Sequence, residues 1–204
     1  MLPLSESTVP PIRVNSSELE FRRMRDSDVP GIMEIEAVSF GRHHWSPESF
    51  HNEMNNQIGR YYVLLHHQKD ENADNTTPKL IGYAGFWMII DEAHITTIAV
   101  HPNYRGNSLG ELLLIRMTER CFGSSIHWMT LEVRVGNYTA QNLYYKYGYQ
   151  SMGIRKKYYQ DNLEDALIMT TPDISSEDYR NLYRPLKNGI SDKLGGFPKG
   201  FEDP

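Results

Sequence analysis

Residues Leu131–Tyr149 read LEVRVGNYTAQNLYYKYGY. The first residues alternate apolar and polar, the period of a half-buried strand. Gly136-Asn137 breaks that pattern. Ala140, Leu143, Tyr144 and Tyr147 then fall on one helical face, and Gly148 ends the helix. Asn137 stands where a helix-capping side chain belongs. Glu132 sits mid-strand, where an unpaired acid is costly. Pairing with Arg134 or another cation would account for it structurally, and so would a chemical task.

Upstream lies the other half of the pattern. ITTIAV is an apolar strand, HPNYRGNSLG (His101–Gly110) is a small-residue turn, and Leu109 to Cys121 has helical spacing. A helix start offers free N–H groups and partial positive charge, which together favour a phosphate. Arg105 adds a full charge there. Gly106 and Gly110 remove Cβ atoms where a ligand would come close. The dinucleotide fingerprint Gly-x-Gly-x-x-Gly and the P-loop Gly-Lys-Ser/Thr are both absent. Residues 93–134 thus make a βαβ crossover.

Outward from this centre the order is strand (LEFRRMR), helix (VPGIMEIEAVSF), a second helix opened by Ser46-Pro47-Glu48, then strands YYVLLHH, KLIGYAGFWMII and AHITTIAV. After the central helix, strand and helix come two further strands, YQSMGIRKKYY and DALIMT, joined by QDNLE. Residues 68–78 are polar and turn-rich and predict a loop. Residues 1–19 predict a disordered lead-in. Residues 172–204, rich in Gly and Pro, predict an irregular C-terminal extension. The fold class is α/β: a mixed, mostly antiparallel sheet of about seven strands with about four helices.

Composition narrows the function. A net charge of −5 disfavours nucleic acid as ligand. No apolar run approaches the roughly 20 residues that would cross a bilayer. Cys121 is the single cysteine, which excludes an intrachain disulfide and a cysteine-based zinc site and fits a cytoplasmic protein. The histidines show no metal-ligand spacing, so no metal is expected.

IAVHPNYRGNSLG together with LEVRVGNYTAQNLYYKYGY resembles the GNAT superfamily of acetyl-CoA-dependent N-acetyltransferases, whose loop pattern is Arg/Gln-x-x-Gly-x-Gly/Ala. Arg105 and Gly110 match it, and Ser108 departs from it. SFGRHHWS, DEAHITTIAVHP, RKKYY and EDALIM extend the likeness over residues 20–171. Within the superfamily they point to the bacterial ribosomal-protein-alanine N-acetyltransferases. The resemblance implies a central parallel pair of strands that splay apart. It implies acetyl-CoA as co-substrate, held by the backbone of Ile98, Ala99 and Val100, by the turn Arg105, Gly106, Asn107, Ser108, Leu109 and Gly110, and by Asn137. It also places Tyr144 beside the CoA sulfur.

The implied reaction is direct attack of an amine on the acetyl thioester in a ternary complex. An α-amine, with a pKa of about 7.7–8.0, is far more often neutral at pH 7 than a lysine side chain at about 10.4, so a modest base suffices. Glu132 is the candidate base and Tyr144 the candidate acid for the departing thiolate. Trp45, Glu132, Tyr158 and Tyr159 are the candidates for the acceptor groove. His94 and His101 are weaker candidates for the base. The expected acceptor is a protein N-terminus, a ribosomal protein beginning with alanine. The alternatives are a small amine or lysine side chain as acceptor, and a non-catalytic acetyl-CoA-binding module. Ser108 would cost little if its backbone were helical with negative φ.

Overall fold

The computed structural model describes residues 12–40, 45–68 and 78–200. Most of the loop expected at 68–78, and the His43-His44 pair, lie outside these residues. The strands are β1 (Leu19–Arg23), β2 (Gly59–His66), β3 (Lys79–Ile89), β4 (Glu92–Val100), β5 (Trp128–Arg134), β6 (Gln150–Tyr159) and β7 (Glu164–Thr170). They form one sheet in the order β1-β2-β3-β4-β5-β7-β6. Every neighbouring pair is antiparallel except β4 and β5, which are parallel. The crossover that joins them is α3 (Leu109–Cys121). The other helices are α1 (Val29–Phe40), α2 (Pro47–Asn55), α4 (Tyr138–Lys146) and α5 (Glu177–Leu194).

Each sheet face has its own core. On one side Ile32, Ile35 and Phe50 of α1 and α2 pack on Tyr61, Val63 and Tyr83. On the other, α3 is buried through Leu112, Leu113 and Ile115 against Leu64, Ile81, Phe86 and Met129. Strand period sorts β5 between them: Met129, Leu131 and Val133 are buried, while Thr130, Glu132 and Arg134 point to the opposite face.

A bulge decides what happens at the centre. Gly85 of β3 faces Thr97 of β4, but Phe86 faces Ile95, so Thr96 is an extra residue. A bulge bends its strand and raises the local twist. Pairing between β4 and β5 runs from Glu92–Trp128 to Ile95–Leu131 and goes no further. Beyond it, β4 stays with β3 and β5 stays with β7. The Tyr61 hydroxyl holds the bulge through Thr96 Oγ1 at 2.9 Å. The Tyr61 ring lies so close to Gly85 that a Cβ there would come within 2.1 Å of it.

Two expectations need correction. Within the expected irregular extension 172–204, the described residues 172–200 hold a long helix: α5 has 18 residues, with Ser176 as its N-cap and Gly195, at φ 72°, as its C-cap. Tyr179, Tyr183, Ile190 and Leu194 form its buried stripe. Pro185 lies on the exposed side, where water can meet the carbonyl that it leaves unpaired. The lead-in is ordered from residue 12. Ile12 N–H donates to Asn103 O, and Asn15 caps a 3-10 turn at Ser16–Glu18. The segment after α5 also ties into the fold, since Phe21 N–H donates to Lys199 O at 2.8 Å.

Tyr183 anchors α5 to α3, donating to Ile115 O at 3.2 Å and to Glu119 at 2.9 Å. Tyr183→Ala should therefore lower unfolding stability by about 3–5 kcal/mol, the usual cost of removing a buried aromatic ring. Urea denaturation measures this. A loss within the ±0.5 kcal/mol of an ordinary surface substitution would show α5 to be peripheral.

Candidate functional site

Where β4 and β5 part, backbone groups lose their partners. His101 donates its N–H to Ile81 O of β3. Successive residues of a strand turn their polar groups to alternate sides. Ile98 and Val100 therefore present N–H and C=O to the gap beside β5. Ala99, expected among the cofactor contacts, does not: its backbone faces β3 and its side chain belongs to the α1–α2 core.

The turn from Arg105 to Gly110 closes one end of the gap. The first helical bond of α3 runs from Leu112 N–H to Ser108 O, and the Ser108 side chain does not cap the preceding N–H groups. Leu109 is buried, so its contribution to a ligand is its backbone. A Cβ built on Gly110 would meet nothing within 4 Å. The protein's own packing therefore does not demand glycine there, whereas a phosphate lying on the helix start would. Gly106, at φ 80°, makes the sharp turn. Asn107 is held inward, its amide donating to Ile12 O at 2.7 Å and Tyr104 O at 2.9 Å. Its side chain is structural. Ser108 contradicts the condition under which it would be cheap: φ is 58°, the left-handed region. Its hydroxyl accepts from Lys193 Nζ at 2.6 Å. The Arg105 guanidinium folds back to Val100 O at 3.3 Å and Ser39 Oγ at 3.4 Å.

Across the gap stands Glu132. Its side chain is only 6% exposed, with His94 Nε2 at 3.0 Å and Arg155 Nη1 at 2.8 Å. Arg134 is not its partner: that guanidinium goes to Asp161 and Glu164 and lies 3.9 Å over the Tyr159 ring. His94 Nδ1 reaches Thr130 Oγ1 at 3.0 Å, and Thr130 in turn donates to Glu92. With that hydroxyl proton committed to Glu92, both ring nitrogens of His94 act as donors, the pattern of an imidazolium. The charges agree. The hydrogen bond to Glu132 raises His94 above its ordinary value, against the effect of burial. The same bond, with the charges of His94 and Arg155, lowers Glu132.

Tyr144 comes from α4, whose start is fixed by Asn137 accepting from Ala140 N–H at 3.1 Å. Gln141 braces the turn before it, donating to Arg134 O and Val135 O. The Tyr144 ring packs on Tyr149 at 5.5 Å, and its hydroxyl makes no hydrogen bond to any described residue. Burial pushes its pKa up, so the phenol keeps its proton across the physiological range.

Aromatic side chains of β6 flank the Glu132 cluster. A second bulge, between Arg155 and Tyr159 of β6, turns Tyr159 so that its hydroxyl meets Glu132 O at 3.3 Å. Burial first of all raises that phenol to about 12. Tyr158 stands edge-on to it at 5.1 Å, below Arg155. Trp45, the other aromatic candidate, packs against Phe50 and Tyr61, and its backbone N–H donates to Glu36 at 2.7 Å. Glu164 and Asp165 are structural, binding Gly136 N–H and Lys157 N–H. His101 contacts Asn103 N–H and the Tyr104 ring, apart from the Glu132 cluster. Burial pushes the Cys121 thiol up to about 12, so it is no nucleophile. Among the described residues no group of three or more metal-ligating side chains occurs, and no helix is long and apolar enough to cross a membrane.

The parallel pair thus opens beside the start of α3, where backbone N–H groups and partial positive charge favour an anion. The acetyltransferase (GNAT) family matches residues 29–149. The chain belongs to the GNAT acetyltransferase family. It is 45% identical over 148 residues to a Bacillus subtilis (strain 168) protein named as a candidate [ribosomal protein bS18]-alanine N-acetyltransferase, covering 72% of this chain and 91% of that one. It is 33% identical over 153 residues to the [ribosomal protein bS18]-alanine N-acetyltransferase of Escherichia coli (strain K12), covering 73% and 94%. The crystal structure of the Escherichia coli ribosomal-protein-S18-alanine N-acetyltransferase superposes with a TM-score of 0.65 at 26% identity, over 78% of this chain and 97% of that one. This GNAT acetyltransferase thus shares with its family the use of acetyl-CoA.

His94, a weaker candidate from the residues alone, lies against Glu132 in the structure. Its tie to Glu132 needs the parallel register that pairs His94 with Thr130, and no local pattern reveals register. Gly110 offers the sharpest test of the turn. Gly110→Ala should leave the fold intact or stabilise it by up to about 1 kcal/mol, because alanine is the better helix former. It should weaken acetyl-CoA binding by roughly tenfold or more, about 1.4 kcal/mol. Thermal unfolding and titration calorimetry read the two effects, and unchanged affinity would remove the turn from the cofactor site.

Proposed function

We propose that this protein transfers the acetyl group of acetyl-CoA to the N-terminal α-amine of a ribosomal protein that begins with alanine, as its relatives named for bS18 do. The observation that carries the reading is the His94–Glu132 pair beside the splayed strands, facing a tyrosine-lined hairpin. An exposed α-ammonium loses its proton easily, and the raised pKa of His94 moves it toward that of the amine. Ribosomal proteins are met in the cytoplasm, the compartment that the lone cysteine suggests.

In this mechanism acetyl-CoA lies in the gap, its pantetheine along Ile98 and Val100 and its pyrophosphate on the start of α3. Asn137 faces the CoA arm while capping α4. The α-ammonium of the acceptor enters between the Tyr158–Tyr159 hairpin and Trp45 and displaces Arg155 from Glu132. Glu132 is a weak base by itself, since its pKa is lowered. Its carboxylate orients His94, which takes the proton in its neutral form, above its raised pKa, directly or through one water. The amine nitrogen then bonds to the acetyl carbon, the carbon–sulfur bond breaks, the Tyr144 hydroxyl gives its proton to the leaving sulfur, and the second proton that the nitrogen sheds in becoming an amide returns to the Tyr144 phenolate through water. Loss of the hydroxyl proton leaves a buried phenolate, which costs energy and favours prompt reprotonation. No step calls for a metal.

Acceptor choice is tested by offering acetyl-CoA with peptides beginning Ala-Arg, Ser or Met, with an N-terminally blocked lysine peptide, and with spermidine. Mass spectrometry should find the alanine peptide acetylated first. Reaction of the blocked lysine peptide or spermidine alone would favour a side-chain or polyamine acceptor. Acetyl-CoA binding with no acetylation at all would favour a non-catalytic module.

The proton roles predict a pH signature. His94 accepts a proton only above its raised pKa, so kcat should rise with pH through a value above 6.5, the ordinary histidine value. His94→Gln should lose that rising limb and slow turnover by about 10²–10⁴-fold. Tyr144→Phe should keep the limb but lower kcat, with acetyl-CoA affinity unchanged. A His94→Gln enzyme with the original rate and profile would return the base role to Glu132 alone.

A further inference from the structure

The extension beyond the family match reaches back into the cofactor site. Helix α5 runs antiparallel to α3. Tyr183 bonds Ile115 O and Glu119, Lys187 lies 3.0 Å from Glu119, and Lys193 reaches Ser108 at the opposite end of α3. The first two contacts serve packing. The third does not: Lys193 is exposed and has no carboxylate partner among the described residues. Its place on the helix is nevertheless fixed, because Ile190 and Leu194 on either side of it are buried and Gly195 closes the helix, its carbonyl accepting from Ser16 Oγ at 2.9 Å.

Ser108 adds the second observation. A left-handed backbone costs a non-glycine residue about 1–2 kcal/mol, and this serine does not repay it by capping α3. Its hydroxyl instead accepts a proton from the Lys193 ammonium, 2.6 Å away. Strain kept at a ligand site indicates a task. Meanwhile Arg105, the turn's own cation, is drawn aside toward Val100 O and Ser39. The chain carries a net charge of −5, so an incoming polyanion needs a local cation.

We propose that Lys193 is a pyrophosphate-binding residue for acetyl-CoA, with Ser108 as the residue that positions it. The ammonium has three N–H groups. One goes to Ser108, and the others are free for a phosphate oxygen resting on the first turn of α3. The proposal rests on the reading that this turn holds the CoA pyrophosphate. It deepens that reading by making the C-terminal helix part of the site.

Lys193→Gln tests it, because glutamine can still reach Ser108 but carries no charge. Calorimetry on the full chain would compare acetyl-CoA, dephospho-CoA, which lacks the 3′-phosphate, and acetyl-pantetheine, which has no phosphate. The variant should bind acetyl-CoA and dephospho-CoA about three- to tenfold more weakly, by a similar factor, with the loss shrinking as salt rises. Its affinity for acetyl-pantetheine should be unchanged, and Lys193→Arg should recover part of the loss. Equal binding of acetyl-CoA by wild type and Lys193→Gln would overturn the proposal while leaving the cofactor reading intact. A loss seen with acetyl-CoA and absent with dephospho-CoA would overturn the pyrophosphate assignment in favour of the 3′-phosphate. A wild type that binds no acetyl-CoA would sink both.

Discussion

The extra residue at Thr96 governs the molecule's centre. Because of it, β4 keeps its ladder with β3 and abandons β5 after Ile95. Unpaired buried backbone groups are costly, so a gap of this kind persists only where something else will use them. Here the N–H and C=O groups of Ile98 and the N–H of Val100 face the gap while Arg105 holds the Val100 C=O, and in the proposed function a pantetheine chain, itself built of amides, would pair with them. Tyr61 pins the bulge to the α1–α2 side through Thr96, with its ring against Gly85. The tyrosine, the glycine and the bulge form one device.

The same bend arranges the chemistry. Before the bulge, His94 lies on the face shared with Thr130 and Glu132; after it, Ile98 and Val100 pack toward the α3 side. The groups proposed to accept the proton and those proposed to hold the cofactor thus come from one strand but lie on different faces. Opposite shifts of paired groups are a common mark of acid–base sites. His94 is raised and Glu132 is lowered, and each is the leading cause of the other's shift. The pair also affects stability. The raised His94 contributes most below about pH 6.5 and loses that contribution as pH climbs through its folded value. The lowered Glu132 contributes above about pH 4.3 and loses its part as pH falls.

Much of this was legible in the residues. Alternation in LEVRV, the helical face of Ala140, Leu143, Tyr144 and Tyr147, and the Ser46-Pro47-Glu48 helix start are local signals, and local signals survive into the fold. The Gly110 position and the Asn137 cap were readable for the same reason. What escaped was non-local or looked like punctuation. Pro185, Gly189 and Gly195-Gly196 masked the stripe of Tyr179, Tyr183, Ile190 and Leu194, because a proline is read as a helix stop unless its exposed side is known. The inward turn of Asn107 depends on Ile12, nearly a hundred residues away. The Glu132 partners, His94 and Arg155, come from strands whose register no local pattern encodes.

Amide hydrogen exchange with and without acetyl-CoA tests the central claim most directly, because it reads the gap itself. The account predicts that the ligand slows exchange at Ile98 and Val100 and at the uncapped start of α3, Leu109 to Glu111. The amides of β1 and β2, on the far edge of the sheet, should not change. Protection confined to other segments, or none at the gap under saturating acetyl-CoA, would contradict it.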